Sequence, residues 1–134
     1  MAVEINGQYQ GALRVSSIHG PSGTQIETDA PVDNQGKGER FSPTDLVVAS
    51  LASCMLTIMG IVAARDQIDL SSTTYHAEKH MAADSPRRIA KIVIEFSLPK
   101  TLTTDQRKKL ENAARTCPVH HSLSRDIEQV VSFN

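Results

Sequence analysis

The chain has 134 residues, with 14 lysines and arginines against 15 aspartates and glutamates, for a formal net charge of −1. Its length fits a single domain covering residues 1–134, and its balanced charge supplies no electrostatic footprint for nucleic acid or an anionic membrane. The sequence has no phosphate-cradling glycine loop, Gly-x-Ser-x-Gly elbow, His-Glu-x-x-His pair or paired Cys-x-x-Cys motifs, so no cofactor or metal is expected.

The opening residues Met1-Ala-Val-Glu-Ile-Asn-Gly7 lack the basic and apolar regions of an export signal. The expectation is a cytoplasmic protein in a reducing compartment, where a permanent disulfide is disfavoured. Residues 3–15 alternate, with Val3, Ile5, Tyr9, Leu13 and Val15 on one parity and Glu4, Asn6, Gln8, Gln10 and Arg14 on the other. This pattern predicts one half-buried strand, with Gly7 and Gly11 as candidate bulges. His19 to Gly23 has turn chemistry, Thr24 to Thr28 reads as a short returning strand, and Asp29 to Arg40 as a polar loop.

Ser42-Pro43-Thr44-Asp45 combines a helix cap, a proline at the first helical position and a reciprocal acid three residues after the cap. The helix is predicted from Pro43 to Arg65. Residues 46–64 carry no charge, and a run of about 18 or more apolar residues is the usual mark of a membrane span. Here Ala49, Ser50, Ala52, Ser53, Thr57 and Gly60 dilute it, and no aromatic belt or Lys/Arg asymmetry flanks it. A buried central helix is expected instead, covered on nearly every side, which a small monomer would struggle to supply.

Thr73 to Met81 and Arg88 to Leu98 read as two strands, the second with Ala90, Ile92, Ile94, Phe96 and Leu98 toward the core. Thr103 and Gln106 form a second capping pattern, opening a helix that should stop before Cys117 because Pro118 disfavours helical geometry in the residue before it. Pro118 suits the start of a short third helix, and Ile127 to Phe133 would close the chain as a strand. The sum is an α+β domain.

Chemical specificity concentrates in the two cysteines, Cys54 and Cys117. A thiol reacts as its thiolate, which a helix N-terminus or a neighbouring cation favours. On local grounds Cys117 is the better nucleophile, as the cap of the third helix with His120 and His121 close by. Cys54 lies about three turns inside the first helix and would need a cation or acid from another element. Taken singly, either could equally be a small buried hydrophobe.

Two blocks, Phe41-Ser-Pro-Thr-Asp-Leu-Val-Val-Ala-Ser-Leu-Ala-Ser-Cys54 and Cys117-Pro-Val-His-His-Ser-Leu123, together resemble the OsmC/Ohr family of thiol-dependent peroxidases. The order of strands and helices agrees with that family along essentially the whole chain. The resemblance implies an intertwined homodimer with an active site at each dimer interface, antiparallel sheets around a long central apolar helix, Cys54 as the peroxidatic thiol and Cys117 as the resolving one. It inverts the order that local physics favours. It further implies attack of Cys54 on a hydroperoxide, an organic one if the surrounding wall is apolar, condensation of the sulfenic acid with Cys117, and reduction by a dithiol.

The chain departs from the organic-hydroperoxide branch at two places. Thr44 stands where a glutamate follows the helix-start proline, and the early loop Ile18-His-Gly-Pro-Ser-Gly23 has no arginine. The nearby cations are Arg14, His19 and Arg40, and the nearby acids are Asp45 and Glu39, of which Glu39 is the candidate catalytic acid. Two other readings compete. One is a non-enzymatic, redox-sensing binding protein on the same fold. The other is a zinc protein using Cys117 with His120 or His121, and with His76 and His80 elsewhere in the chain.

Overall fold

The alternating N-terminal segment folds back on itself instead of running as one strand. In the computed structural model, which describes residues 1–134, β1 (Ile5–Gly11) and β2 (Arg14–His19) form an antiparallel hairpin, and β3 (Gln25–Asp29) adds to β2. The turn residues Ala12 and Leu13 both have positive φ, 51° and 64°. That is the backbone of a two-residue hairpin turn whose twist matches its strands, made here without the usual asparagine or glycine. The register places Ile5 opposite His19, Gly7 opposite Ser17 and Tyr9 opposite Val15, with a shift at Gly11. Odd-numbered residues therefore stay on one face through the turn, which is why the parity reads as a single strand.

This face is open rather than half-buried: Ile5, Tyr9, Val15 and Ile26 are all exposed. A single 3-10 turn at Val32–Asn34 follows. At Gly36 the chain passes so close to Ala30 that a β-carbon would collide with its carbonyl oxygen, so only glycine fits there. These elements form one compact unit, Met1–Leu46, and the remainder forms a second, Val47–Asn134.

The long helix α1 spans Pro43–Arg65, the predicted bounds. Its start is a reciprocal cap: Ser42 Oγ accepts from the Asp45 N–H at 3.1 Å, and Asp45 Oδ2 accepts from the Ser42 N–H at 2.9 Å. Within the second unit α1 buries Val48, Leu51, Ala52, Met55, Met59 and Ala63, spaced three and four apart on one side. Ser50, Ser53, Thr57, Ile61 and Ala64 lie exposed on the other, so a single chain covers one side of the helix and not all of it.

The second sheet has the order β4 (Thr74–Met81), β5 (Ile89–Ser97), β6 (Glu128–Phe133). β4 and β5 pair antiparallel, whereas β5 and β6 are parallel. A parallel pair needs a crossover of a dozen or more residues, and α2 (Thr104–Ala114) with α3 (Pro118–Ser122) supplies it. Thr103 caps α2 in the predicted manner, bonded reciprocally to Gln106. Ile92, Ile94 and Phe96 of β5 and the following Leu98 are buried with the inner side of α1, Leu110, Ala114 and Cys117 in one apolar cluster. Phe96 stacks on Phe133 with ring centroids 5.4 Å apart. Fully burying such side chains stabilises by roughly 1.5–3 kcal/mol each, which makes this cluster the anchor of the second unit.

Candidate functional site

Cys117 occupies the break between α2 and α3. Its φ of −65° and ψ of 140° are the extended geometry that Pro118 imposes on the residue before it. Its side chain caps α3, with Sγ accepting from the His120 N–H at 3.2 Å. The thiol is fully buried. Burial raises its pKa, the His120 N–H opposes that shift, and the nearby Cys54 thiol adds to it.

Cys54 packs against the apolar cluster that holds Cys117, close enough for the two thiols to influence each other. Cys54 precedes the buried Met55 and sits at the rim of the packed side of α1, partly exposed. Both thiols are free. The pair consists of a partly exposed cysteine from the middle of a long helix and a fully buried one at a helix cap.

Around this pair the His120 ring is held by Gln129 of β6, whose Oε1 accepts from Nδ1 at 2.5 Å. The His121 ring crosses it edge-on at 5.0 Å. The His120–Gln129 pairing is not visible in the sequence, because β6 reaches His120 only once the parallel pairing with β5 is formed. A cavity of about 240 Å³ is lined by Met55, Arg115, His120, Gln129 and Val131. A second, of about 460 Å³, lies against His120 and Gln129 together with His121, Arg125 and Ile127. Arg115 places its guanidinium over the Phe133 ring, 5.5 Å from the centroid.

Glu39 belongs to the N-terminal unit, where it is tied to Arg14. The Arg14 guanidinium holds Asp29 in a fork, Nε to Oδ1 at 2.7 Å and Nη2 to Oδ2 at 2.9 Å, and Nη2 also reaches Glu39 Oε1 at 3.0 Å. The Glu39 N–H donates to Asp29 Oδ2 at 3.1 Å. Arg14 and Asp29 are direct cross-strand partners on β2 and β3. The other two candidate cations have local partners: Arg40 pairs with Glu27, and His19 hydrogen-bonds Ser22. Asp29, read from sequence as the start of a polar loop, is instead a buried strand end, and pairing Arg14 with it requires the strand register.

A family model described as OsmC-like protein matches residues 36–131. The chain belongs to the OsmC-like family. No curated protein matches it. Among solved structures, this OsmC-like chain is similar to one from Psychrobacter arcticus 273-4, provisionally named an osmotic stress induced and detoxification response protein. The two share 48% identity and a TM-score of 0.94 over 100% of this chain and 97% of that one. An organic hydroperoxide resistance protein OsmC from Legionella pneumophila shares the fold at 15% identity and a TM-score of 0.77, over 100% and 97% of the two chains. An OsmC-like protein of unknown function from Vibrio cholerae O1 biovar eltor str. N16961 does so at 18% identity and a TM-score of 0.80, over 100% and 99%. The α+β architecture with a long apolar helix is that of the OsmC/Ohr structures.

Proposed function

We infer that this OsmC-like protein is a thiol peroxidase that reduces organic hydroperoxides, with Cys54 as the peroxidatic and Cys117 as the resolving residue. The observation that carries the reading is the proximity of a partly exposed Cys54 to a fully buried Cys117 in one apolar cluster. The Cys54 thiolate attacks the terminal peroxide oxygen and breaks the O–O bond, releasing an alcohol and leaving a sulfenic acid. Cys117 then displaces that oxygen as water and forms a disulfide. A dithiol reductant restores both thiols by exchange. Met55, next to Cys54 along α1, lines a cavity with Val131, Arg115, His120 and Gln129, where an organic hydroperoxide would set its apolar group against Met55 and Val131. Cycling through a dithiol fits a reducing cytoplasm.

The working unit in this reading is a homodimer. Ile5, Tyr9, Val15 and Ile26 form an exposed apolar sheet face, and the outer side of α1 carries Ile61 and Ala64. Exposed apolar surface of this kind marks an interaction site. Arg14 and Glu39 are the candidate groups for activating Cys54 across such an interface, and Glu39 keeps its place as the candidate acid.

The test is a thiol count during reaction with cumene hydroperoxide. One equivalent should remove both free thiols, a lipoyl-type or thioredoxin-type dithiol should restore them, and steady turnover should follow. Stoichiometric oxidation without turnover would replace the enzyme by a redox sensor. A Cys54→Ser variant that consumes peroxide as fast as the parent would sink the assignment.

A further inference from the structure

Along β4 the residues alternate, with Tyr75, Ala77, Lys79 and Met81 on one parity and Thr74, His76, Glu78 and His80 on the other. Ala77 and Met81 pack against the apolar cluster that holds the cysteines, so the second set points away from it, and all four of its members are exposed. β4 is also an edge strand, paired only with β5.

On this outer face two imidazoles converge. His76 and His80 are four residues apart, which on a strand is about 13 Å of backbone. Yet both rings reach the carboxylate between them: His80 Nε2 lies 2.9 Å from Glu78 Oε1, and His76 Nε2 lies 3.4 Å from Glu78 Oε2. Two ligands of a tetrahedral zinc ion, each about 2.1 Å from the metal, stand about 3.4 Å apart. The separations between these donors are thus of the size found between neighbouring ligands in a metal shell. The strand register sets Glu95, a second exposed carboxylate, opposite His76, with Val93 opposite Glu78 and Lys91 opposite His80. Charge therefore favours a cation toward the His76 end of the row and away from the lysine.

We propose that His76, Glu78 and His80 form a surface site for a divalent ion of borderline softness, zinc above all, with Glu95 or water completing the shell. Two imidazole nitrogens and a carboxylate oxygen are a donor set that zinc accepts. The Glu78 carboxylate gives one oxygen to each ring, so the donors hold one another, and a cation enters by exchanging those two hydrogen bonds for bonds to itself. Each ring then carries its proton on Nδ1 and turns the Nε2 lone pair to the ion. The exchange needs only rotations of exposed side chains. The site lies on the opposite face of the sheet from the apolar cluster of Cys54 and Cys117, is distinct from any zinc site built on Cys117 and His120, and does not depend on the peroxidase reading.

The experiment titrates the reduced, EDTA-treated full chain with zinc chloride alone, read by calorimetry and by the ring signals of the five histidines in heteronuclear NMR. One ion should bind per chain, and the His76 and His80 signals should move while those of His19, His120 and His121 stay in place. His76→Ala, His80→Ala and Glu78→Gln should each weaken binding about tenfold or more, since even an outer partner of a metal ligand is worth that much. The double change of both histidines to alanine should weaken it about 100-fold or more. All three side chains are exposed, so the variants should keep the parent's far-UV spectrum. Absence of saturable binding at millimolar zinc, or parent affinity in the double variant, overturns the proposal. So do shifts confined to His120 and His121, or binding that alkylation of Cys54 abolishes, either of which would put the ion at the cysteine end of the molecule.

Discussion

Arg14 and Asp29 face each other across the β2–β3 ladder, joined by two parallel hydrogen bonds of 2.7 and 2.9 Å, and Asp29 is 99% removed from solvent at 1% exposure. The guanidinium lowers the Asp29 carboxyl from its ordinary 3.8 to about 2, and burial opposes this without overcoming it.

A pH dependence follows with a definite sign. The folded pKa lies below the unfolded one, so the pair's stabilisation is fully present above pH 4 and disappears as pH falls toward 2. Asp29→Asn should unfold at lower urea than the parent at pH 7, and the gap between the two should close between pH 4 and 2. A gap that persists undiminished at pH 2 would show that the aspartate's charge is not what stabilises the N-terminal sheet.

The two sulfurs should also differ in reach. Iodoacetamide on the folded, reduced protein is expected to label Cys54 and spare Cys117, which is buried and whose pKa is raised; urea should expose the second site. Cys117→Ser should stop after one oxidation, with the sulfenic acid on Cys54 trapped by dimedone. Equal labelling of both thiols in the folded state would contradict the sealed position of Cys117.

The hairpin turn stores strain that can be relieved. Ala12 and Leu13 hold left-handed backbone angles that cost an L-residue about 1–2 kcal/mol each relative to glycine. Leu13→Gly, or the pair Ala12→Asn with Leu13→Gly, should therefore raise stability by about 1 kcal/mol, read as a shift of the urea midpoint at constant slope. Loss of stability on both changes would mean that the exposed Leu13 side chain is covered in the assembled protein.

Self-association is checked at the open sheet face. Tyr9→Lys or Ile26→Lys should lower the apparent mass in sedimentation equilibrium toward that of one 14.6 kDa chain, while the far-UV spectrum is retained. An unaltered mass would move the interface away from this face. Monomeric variants should lose peroxidase turnover along with assembly.

What the sequence reveals and what it conceals divide along the range of the signal. α1 ends where Pro43 and Arg65 place it, and Cys117 caps α3 as Pro118 demands, because capping and pre-proline sterics act within three or four residues. The hairpin at Ala12–Leu13 is hidden, since neither residue carries turn chemistry and odd parity survives the reversal. The Arg14–Asp29 fork needs the β2–β3 register, and the His120–Gln129 bond needs a parallel crossover, so both belong to tertiary structure alone. The resemblance of two short blocks implies an order of roles for the two cysteines opposite to the one that local electrostatics favours.

The crossover that brings Cys117 to Cys54 has a mechanical consequence. Roughly 60 residues lie between the two sulfurs, among them β4, β5 and α2, and a bond closing a loop of that size withdraws about 4 kcal/mol of chain entropy from the unfolded state. Oxidised protein should thus resist denaturant and proteases markedly better than reduced protein. The catalytic cycle would then alternate between a tethered and an untethered polymer, making the melting temperature a direct record of how much peroxide the protein has met.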